Sequence, residues 1–259
     1  MQVFRGIPKR AAHGCVLTIG NFDGVHRGHQ ALLAKLTEKA RATGLPSAVL
    51  TFEPHPREYF THENRPRRLT SLREKIRLLE AQGVDRLYIG RFNASLAGLT
   101  AEQFIEDVLC RGLGVRHVLI GDDFRFGKGR QGDFAMLQAA GKKVGFGVES
   151  MHTVDHEGER VSSSAVRAAL ADGDMPHAAR LLGRPYSISG RVMHGDKIGR
   201  TIGFPTANIQ LKHRSPPLMG IYTVSVEGLA GHPLPGVASV GVRPTINDAG
   251  RPSLEVHLF

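Results

Sequence analysis

The first 183 residues alternate between short apolar runs and amphipathic segments of helical period, and this alternation constrains the fold more than any other feature. Strands that alternate with helices of roughly 10–15 residues are typical of a parallel sheet covered by helices on both faces. The predicted strands are 15–20, 47–52, 85–92, 116–121 and 146–151, and the predicted helices are 30–44, 71–83, 100–114, 133–145, 163–173 and 175–183. In the helix over 71–83, we expect Leu72, Ile76 and Leu79 to face the core. The sequence therefore predicts an α/β fold for this part of the chain.

The pattern changes after Gly183-Arg184-Pro185. The remaining sequence shows short alternating strands between Gly/Pro turns, at 186–195, 220–228, 237–242 and 253–259. Such a pattern is typical of a small antiparallel barrel or sandwich. We place the domain boundary at 183/184, which gives a first domain over 1–183 and a second over 184–259. The chain ends at Phe259 within a predicted strand, and so small a domain has a thin core, so we expect the second domain to be truncated at its carboxyl end.

The composition restricts the classes of partner. Lys and Arg number 34 against 24 Asp and Glu, and the formal charge of +10 favours a polyanion, either nucleic acid or a small polyphosphate such as ATP. Aromatic residues make up 6% and Trp is absent, which argues against a base-stacking platform. No apolar run approaches the roughly 18 residues of a membrane span, and no signal peptide is recognisable, so we expect a cytoplasmic protein without a membrane partner. Cys15 and Cys110 lie in apolar segments and are expected in the core.

The segment 20–29, GNFDGVHRGH, lies between the first predicted strand and the first predicted helix. Ligands of parallel sheets bind beyond the carboxyl ends of the strands, which is where this segment falls. His26 and His29 are three residues apart and share a face of the first helical turn, and Gly28 between them leaves room for a ligand. Two imidazoles and the free N–H groups of a helix start can bind phosphate oxygens. The alternatives are a chance H-x-G-H match and a zinc site, which the lack of a third ligand at metal spacing disfavours.

Three other segments of the first domain carry polar groups that are suited to a nucleotide. The loop 121–130, GDDFRFGKGR, follows a predicted strand and can hold an aromatic ring and phosphates, unless it is only a solvated loop. The segment 162–167, SSSAVR, starts a helix, so its hydroxyls, its backbone N–H groups and Arg167 can bind phosphate. The alternative for that segment is ordinary N-capping by one Ser. The Pro-bounded segment 52–56, FEPHP, is either a binding loop or a rigid turn.

The glycine-rich segment 195–208 of the second domain, GDKIGRTIGFPTAN, can turn backbone amides toward phosphates, although it lacks the P-loop pattern. Thr206 and Asn208 are two residues apart, so they share a face in extended chain, and their oxygens suit Mg²⁺. Glu255 is the lone acid of the predicted strand 253–259. It is either a rim charge or a base held near a hydroxyl.

Taken together, these segments resemble those of the bacterial bifunctional riboflavin kinase/FMN adenylyltransferase (FAD synthetase) family. The segments GNFDGVHRGH, FEPHP, GDDFRFG and SSSAVR match the adenylyltransferase half, and GRTIGFPTAN, GVRPT and LEVHLF match the kinase half, in family order. The resemblance implies a Rossmann-like nucleotidyltransferase domain followed by a small antiparallel β-barrel. One departure is Ser164, which stands where the family usually has Thr.

The resemblance also implies roles for particular residues. His26 and His29 would contact the phosphates of ATP and stabilise the transition state of adenylyl transfer, and Glu255 would take the proton from the riboflavin 5′-hydroxyl. Thr206 and Asn208 would bind Mg²⁺ and ATP in the kinase site, together with Gly199 and Gly203. The residues that would hold ATP, its phosphates or the flavin in the adenylyltransferase site are Gly20, Asn21, Phe22, Asp23, Gly24, Gly28, Asp123, Phe124, Arg125, Ser163, Ser164 and Arg167.

The implied function is flavin cofactor synthesis: riboflavin is phosphorylated to FMN, and FMN is adenylylated to FAD, with ATP as co-substrate, Mg²⁺ as cofactor and no nucleic-acid partner. Because the second domain is expected to lack its closing strands, we expect riboflavin phosphorylation by this chain to be weak. The main alternative is a class I synthetase-like tRNA-binding module, since H-x-G-H also occurs there and the charge suits RNA. A flavin-binding sensor without catalytic activity is a third possibility. No oligomeric state is predicted.

Overall fold

The computed structural model describes residues 1–61, 65–152, 155–156, 158–194, 204–211, 215–242 and 252–259. The chain divides into two compact units. The first unit comprises Met1–Pro66 and Lys75–Ser162, and the second comprises Arg67–Glu74 and Ser163–Phe259.

Strands and helices alternate through the first part of the chain, as the sequence predicts. The strands are β1 (Gln2–Arg5), β2 (Cys15–Ile19), β3 (Ser47–Glu53), β4 (Arg86–Arg91), β5 (Val115–Gly121), β6 (Gly147–Met151), β7 (Asp155–His156) and β8 (Glu159–Arg160). The helices are α1 (Arg27–Thr43), α2 (Pro56–Phe60), α3 (Leu72–Ala81), α4 (Ala94–Ala97), α5 (Ala101–Gln103) and α6 (Phe134–Val144). A π-helix over Phe104–Gly112 continues α5, and a 3₁₀ turn covers Lys128–Arg130. The short elements β1, α2, α4, β7 and β8 escape the sequence pattern because they bury too few side chains to leave a periodic signal.

Six parallel strands form the sheet of the first unit, in the order β1-β4-β3-β2-β5-β6. From β2 the chain moves to β3 and β4 on one side and then to β5 and β6 on the other, so the strand order reverses between β2 and β5. These two strands pair directly, with Thr18 opposite Leu119. Crevices at such reversals, beyond the carboxyl ends of the strands, are where ligands of open parallel sheets bind. The predicted α/β class with a parallel sheet is confirmed.

The central strand β2 is buried along its whole length, as expected for a parallel strand that helices cover on both faces. Cys15, Leu17 and Ile19 belong to the same core cluster as Phe104 and Leu109 of the π-helix. Burial raises the pKa of the Cys15 thiol to about 12, so it stays protonated at neutral pH. This strand gives the loop that follows it a rigid base.

Helix α3 buries a residue that the periodic pattern assigns to solvent. Its buried residues are Lys75 and Leu79, which are four positions apart and form one stripe, whereas Leu72 and Ile76 are only half-buried. The predicted inward face of Leu72, Ile76 and Leu79 is therefore corrected to one that contains a lysine. The hydrophobic periodicity of α3 did not predict the burial of Lys75 because it assigns charged side chains to the solvent-exposed face.

The second unit begins with two helices, α7 (Ser163–Ala171) and α8 (Met175–Leu182). Its strands are β9 (Val192–Met193), β10 (Ala207–Ile209), β11 (Gly220–Val226), β12 (Leu234–Val242) and β13 (Pro252–Leu258). They form one antiparallel sheet in the order β11-β12-β13-β10-β9. The antiparallel prediction is confirmed. Among the described residues 186–194 of the predicted strand 186–195, only Val192 and Met193 are in a strand, and β10 was not predicted. Leu254 and Val256 are buried while Glu255 between them is half-buried, so the two faces of this sheet differ in exposure.

In the part of the chain that the structure describes, no helix is both long enough and apolar enough to cross a membrane.

Candidate functional site

The loop between β2 and α1 follows an unusual backbone path. Phe22 and Val25 have positive φ angles of 48° and 41°, and Gly24 between them has a φ of 82°. For residues other than glycine, such angles cost about 1–3 kcal/mol each and persist where the surroundings enforce them. Phe22 and Val25 are almost fully buried, and so is Asp23. Packing thus holds this loop in a strained conformation at the strand-order reversal.

Hydrogen bonds to neighbouring elements fix the same loop. The hydroxyl of Thr51, on β3, donates to the carbonyl of Asn21 at 3.3 Å. The side-chain amide of Gln30, on α1, donates to the carbonyl of Val25 at 2.9 Å. A Cβ at Gly20 would approach the ring of Phe22 to 3.0 Å, so a larger residue there would displace that ring. The loop is therefore attached to the strand beside it and to the helix after it.

His26 and His29 form a stacked pair at the start of α1. His26 is the N-cap, and its Nδ1 accepts a hydrogen bond from the backbone N–H of His29 at 3.4 Å. The ring centroids lie 3.7 Å apart with an angle of 21° between planes. A Cβ at Gly28 would lie 3.2 Å from His26 Nδ1 and 3.4 Å from the carbonyl oxygen of Val161. The glycine of H-x-G-H therefore makes room for the His26 ring itself, in addition to the room for a ligand that the sequence suggests.

This loop and the helix start that follows it contain buried polar atoms that make no hydrogen bond within the described residues. His29 Nδ1 and Asn21 Oδ1 are buried and have no hydrogen-bond partner among the described residues. Burial, then the neighbouring His26 and then Lys75 lower the pKa of His29 well below its usual value, so its imidazole is neutral near pH 7. A neutral imidazole offers one donor and one acceptor, and a buried polar group without a partner is costly. A polar ligand that bound here would recover this cost.

The loop after β5 is partly a core element and partly exposed. Asp123 forms an ion pair with Arg160 of β8, with 3.3 Å between a guanidinium nitrogen and a carboxylate oxygen, and both side chains are exposed. Arg125 donates to the carbonyl of Phe124 at 3.0 Å. Phe124 stacks on Phe126, which is buried. Because β5 is adjacent to β2, this loop lies at the same edge of the sheet as the histidine pair. Arg160 is a polar residue of this group that sequence reasoning missed, since a two-residue strand leaves no periodic signal.

An aromatic group at the ends of β3 and β4 was also missed. It consists of Phe52, Tyr59, Phe60 and Phe92, whose neighbouring ring centroids lie 5.2–5.8 Å apart, each pair edge-to-face. Phe60 is 65% exposed. The FEPHP segment contains Phe52 and leads into α2, which contains Tyr59 and Phe60. His55 caps α2 with Glu58 in a capping box, and Pro56 is the first residue of that helix. A cavity of about 490 Å³ lies beside it, lined by Pro54, Glu58, Tyr59, Phe60 and Arg65.

In the SSSAVR segment, Ser162 is the last residue of the first unit, and the second unit resumes at Ser163, where α7 starts. Ser163 is the first helical residue and is half-buried, and Ser164 is exposed. Arg167 is one turn further on, and its Nε donates to the carbonyl of Arg67 at 2.6 Å. This bond anchors the guanidinium on the Arg67–Glu74 segment of the same unit. A guanidinium group can also bind phosphate oxygens through charge-assisted hydrogen bonds.

In the antiparallel sheet, Asn208 of β10 lies directly opposite Glu255 of β13. On the other side of Glu255, Ser239 of β12 is its direct partner. All three are on one face of the sheet, because residues that pair directly point the same way. Thr206 precedes β10 and is exposed. Gly199 and Gly203 lie outside the described residues.

No group of three or more His, Cys, Asp and Glu side chains suited to a metal occurs within the described ranges. The donors that do lie together are oxygens: the amide of Asn208 and the carboxylate of Glu255, with the hydroxyl of Thr206 near the start of β10. Hard oxygen donors of this kind suit Mg²⁺, which keeps several waters and substrate phosphates as its other ligands. The residues present therefore fit magnesium better than zinc.

Comparisons with known proteins identify related families and sequences. Residues 8–165 match the family model described as FAD synthetase, and residues 182–259 match the one described as riboflavin kinase. The bifunctional riboflavin kinase/FMN adenylyltransferase of Escherichia coli (strain K12) is 53% identical over 263 residues, which cover 100% of this chain and 83% of that protein. The proteins of the same description from Pseudomonas fluorescens and Haemophilus influenzae are 54% and 51% identical, and the matches cover all of this chain and 83% and 84% of those proteins.

A solved structure is also similar. The crystal structure of a protein described as a macrolide-efflux protein from Streptococcus pneumoniae aligns with a TM-score of 0.85 and 30% identity, over 100% of this chain and 85% of that one. The alignment supports the fold in both units, and the efflux description concerns that protein. On the two family models and the full-length relatives, the chain belongs to the bifunctional riboflavin kinase/FMN adenylyltransferase family.

Proposed function

We propose that this chain makes FAD in two ATP-dependent steps: riboflavin is phosphorylated to FMN in the second unit, and FMN is adenylylated in the first. The observation that carries the second step is the stacked pair of His26 and His29, with the buried, unpartnered atoms His29 Nδ1 and Asn21 Oδ1 at the sheet's strand-order reversal. Family membership supports both steps. It gives no support to the tRNA-binding alternative. We keep 183/184 as the functional boundary and the cytoplasm as the location, both as predictions.

Adenylyl transfer requires charge stabilisation more than covalent help. A phosphate oxygen of FMN attacks the α-phosphorus of ATP, the bond from that phosphorus to the bridging oxygen of the β-phosphate breaks, and pyrophosphate leaves with the electron pair. Negative charge grows on the leaving pyrophosphate, and fixed donors around it stabilise the transition state. We assign these donors to His26 and His29. Ser163, Ser164 and Arg167, in the second unit, remain predicted phosphate ligands. Phe22, Asp23 and Gly24 would shape the loop through their burial and backbone angles, and Gly20 through the room that it leaves for the Phe22 ring.

The flavin ring needs a flat apolar surface close to the phosphate site. Within the aromatic group near the ends of β3 and β4, the exposed ring of Phe60 offers such a surface, and β3 is adjacent to β2. Stacking on exposed aromatic rings is favourable for a planar ligand. We propose this surface as the place of the isoalloxazine, with Asp123, Phe124 and Arg125 at the neighbouring end of β5.

Riboflavin phosphorylation requires a base beside the 5′-hydroxyl and a cation on the triphosphate. Glu255 is half-buried next to Asn208 and Ser239, so a hydroxyl that reached this face would meet a carboxylate. We propose Asn208 and Thr206 as the residues that would hold Mg²⁺ here. Magnesium supplies charge neutralisation on the phosphates during transfer.

The experiment is incubation of the chain with Mg²⁺ and ATP, with either FMN or riboflavin, followed by chromatographic separation of flavins. We expect FAD and pyrophosphate from FMN in equal amounts, and FMN from riboflavin. Omitting Mg²⁺ should abolish both products. Absence of FAD from a folded protein would overturn the adenylyltransferase assignment, and absence of FMN would overturn the kinase assignment for this chain. The same assay tests the expectation that riboflavin phosphorylation is the weaker activity.

A further inference from the structure

The side chain of His257, on β13, makes a hydrogen bond that joins two segments of the antiparallel sheet. Its Nδ1 lies 2.8 Å from the carbonyl oxygen of Pro205. A carbonyl oxygen can only accept, so Nδ1 carries the hydrogen and donates. Pro205 immediately precedes Thr206, and His257 comes two residues after Glu255. The bond therefore connects the strand that carries the proposed base to the segment that carries the proposed magnesium ligands.

This bond lies just beyond the point where backbone pairing between β10 and β13 ends. Among the described residues, the last pair of these two strands is Ala207 with Val256. Pro205 has no backbone N–H, so it cannot donate to a strand ladder. Its carbonyl oxygen accepts from the His257 side chain instead, which extends the attachment past the last backbone pair. Thr206 thus lies between two points of attachment to β13.

The other contacts of His257 hold its backbone and its ring. On β12, Val237 pairs directly with His257, and a Cβ at Gly236 would collide with the His257 carbonyl oxygen, so the two strands lie close together here. The imidazole lies between Phe204 and Phe259, with ring centroids 5.5 Å and 6.2 Å away and interplanar angles of 66° and 71°. The donor that reaches Pro205 is therefore itself fixed by the middle of the sheet.

We propose that His257 is a positioning residue for riboflavin phosphorylation: its bond to Pro205 fixes the backbone around Thr206, so that the Thr206 hydroxyl is in place near Asn208 for magnesium and phosphate. This inference rests on the proposed function and deepens it. Thr206 is exposed and lies outside the paired residues of β10. Attachment on both sides removes its backbone freedom when the chain folds, and that entropy is then not lost when a phosphate ligand binds.

A bond that only fastened the end of β10 to the sheet would make a different prediction. Its loss would lower the melting temperature, and the folded protein would bind nucleotide as before. A positioning role predicts instead that the affinity for the magnesium nucleotide falls in protein that is still folded. Nucleotide affinity, measured apart from stability, therefore separates the two roles.

The test uses variants that separate the ring of His257 from its donor. His257→Phe keeps a planar ring between Phe204 and Phe259 and has no N–H, whereas His257→Asn keeps an N–H donor near the position of Nδ1. His232→Phe, at an exposed histidine between β11 and β12, is the matched control.

Steady-state riboflavin phosphorylation gives KM for each substrate. We expect His257→Phe to raise KM for magnesium ATP about 10-fold or more, because displaced ligands bind phosphate less well, and to leave KM for riboflavin unchanged. His257→Asn should recover part of the loss, and His232→Phe should match the unmodified protein. FAD formation from FMN should be the same in all of them, because it uses the first unit.

A second measurement needs no turnover. The protein is labelled with ¹⁵N and titrated with magnesium ADP, and the backbone amide signals of Thr206 and Asn208 are followed. We expect both signals to shift, with a midpoint about 10-fold higher in His257→Phe than in the unmodified protein or His232→Phe. Equal midpoints in folded His257→Phe and the unmodified protein would overturn the inference, and so would signals that do not shift in the unmodified protein.

A further pair of variants covers the case in which His257→Phe does not fold. His257→Gln places its amide nearer the position of Nε2 than that of Nδ1, so it loses the bond to Pro205 that His257→Asn keeps. We expect a lower ADP midpoint for His257→Asn than for His257→Gln, and equal midpoints would overturn the inference. If the midpoints differ as expected but no FMN forms from riboflavin, the proposed kinase function fails while the positioning of Thr206 by His257 stands.

Discussion

Asn208 and Glu255 lie directly opposite each other on neighbouring antiparallel strands, so an amide and a carboxylate that are distant in sequence share one face of the sheet. Residues that pair directly with one another form a row across all five strands, and this row also contains Ser239, Ile221 and Met193. Ile221 is 75% exposed at one end of this row, and Met193 is exposed at the other. The face therefore offers polar groups at its centre and apolar groups at its edges, which suits a ligand that is itself polar in one part and apolar in another.

Replacing Glu255 tests the chemical role of this face. Glu255→Gln keeps the shape and removes the base, so we expect riboflavin phosphorylation to fall roughly 100-fold or more. FAD formation from FMN should not change, because it uses the other site. Glu227→Gln, which alters an exposed acid just after β11, is the matched control. Equal phosphorylation rates for the two variants would remove Glu255 from the mechanism.

Loss of His29 should affect catalysis more than folding. His29→Ala removes one phosphate donor from the stacked pair, and we expect FAD formation to fall roughly 100-fold or more, as for an oxyanion donor. Circular dichroism should show an unchanged fold. His13→Ala, which removes an exposed histidine before β2, should retain full activity. Turnover by His29→Ala that equals turnover by His13→Ala would contradict the assignment.

The lowered pKa of His29 predicts how stability changes with pH. Its pKa is lowered in the folded state by burial, His26 and Lys75, so the unfolded chain binds a proton at this residue more readily than the folded one. The contribution is complete above the ordinary histidine pKa of about 6.5 and is lost as the pH falls below that value. Thermal melts from pH 8 to pH 5 should therefore show a larger decrease in Tm for the unmodified protein than for His29→Gln. Parallel Tm curves would show that His29 is not the group responsible.

Gly28 should tolerate no side chain without loss of activity. A Cβ there would lie within 3.4 Å of the His26 ring and of the Val161 carbonyl, so the ring would have to shift from its stacked position. Near-attack geometry is sensitive to displacements of this size, and we expect Gly28→Ala to lower FAD formation about 10-fold or more. Gly231→Ala adds the same methyl group where nothing lies within 4 Å and serves as the control. The initial rate of FAD formation measures both, and equal rates would show that the ring position is unimportant.

The aromatic group predicts that loss of one of its rings changes KM for FMN and leaves KM for ATP unchanged. Phe60→Ala removes the most exposed ring of the four, so we expect KM for FMN to rise about 10-fold while KM for ATP stays the same. Phe4→Ala, on the edge strand β1, removes another partly exposed ring and should leave both KM values unchanged. Steady-state kinetics with each substrate varied in turn gives the two constants. A rise in KM for ATP alone would place the adenine, rather than the flavin, on this surface.

Much of the fold and some of the site follow from local sequence. The alternation of apolar runs and amphipathic segments indicates the parallel sheet, and the change after Pro185 indicates the antiparallel one, because side-chain period is a local property of the backbone. The segment 20–29 is recognisable for the same reason: it lies between a strand and a helix, and His26 and His29 are one helical turn apart. Local order along the chain was enough to identify these features.

Other features depended on contacts between distant segments. The burial of Lys75, the Arg160–Asp123 ion pair, the aromatic group and the opposition of Asn208 and Glu255 all depend on elements far apart in sequence. Residue type predicted solvent exposure for Lys75, and the packing of α3 decided otherwise. Strand pairing and helix packing bring such residues together because folding buries apolar surface over the whole domain. The sequence by itself determined which chemical groups are present and on which elements, and only the tertiary structure decided which of them meet.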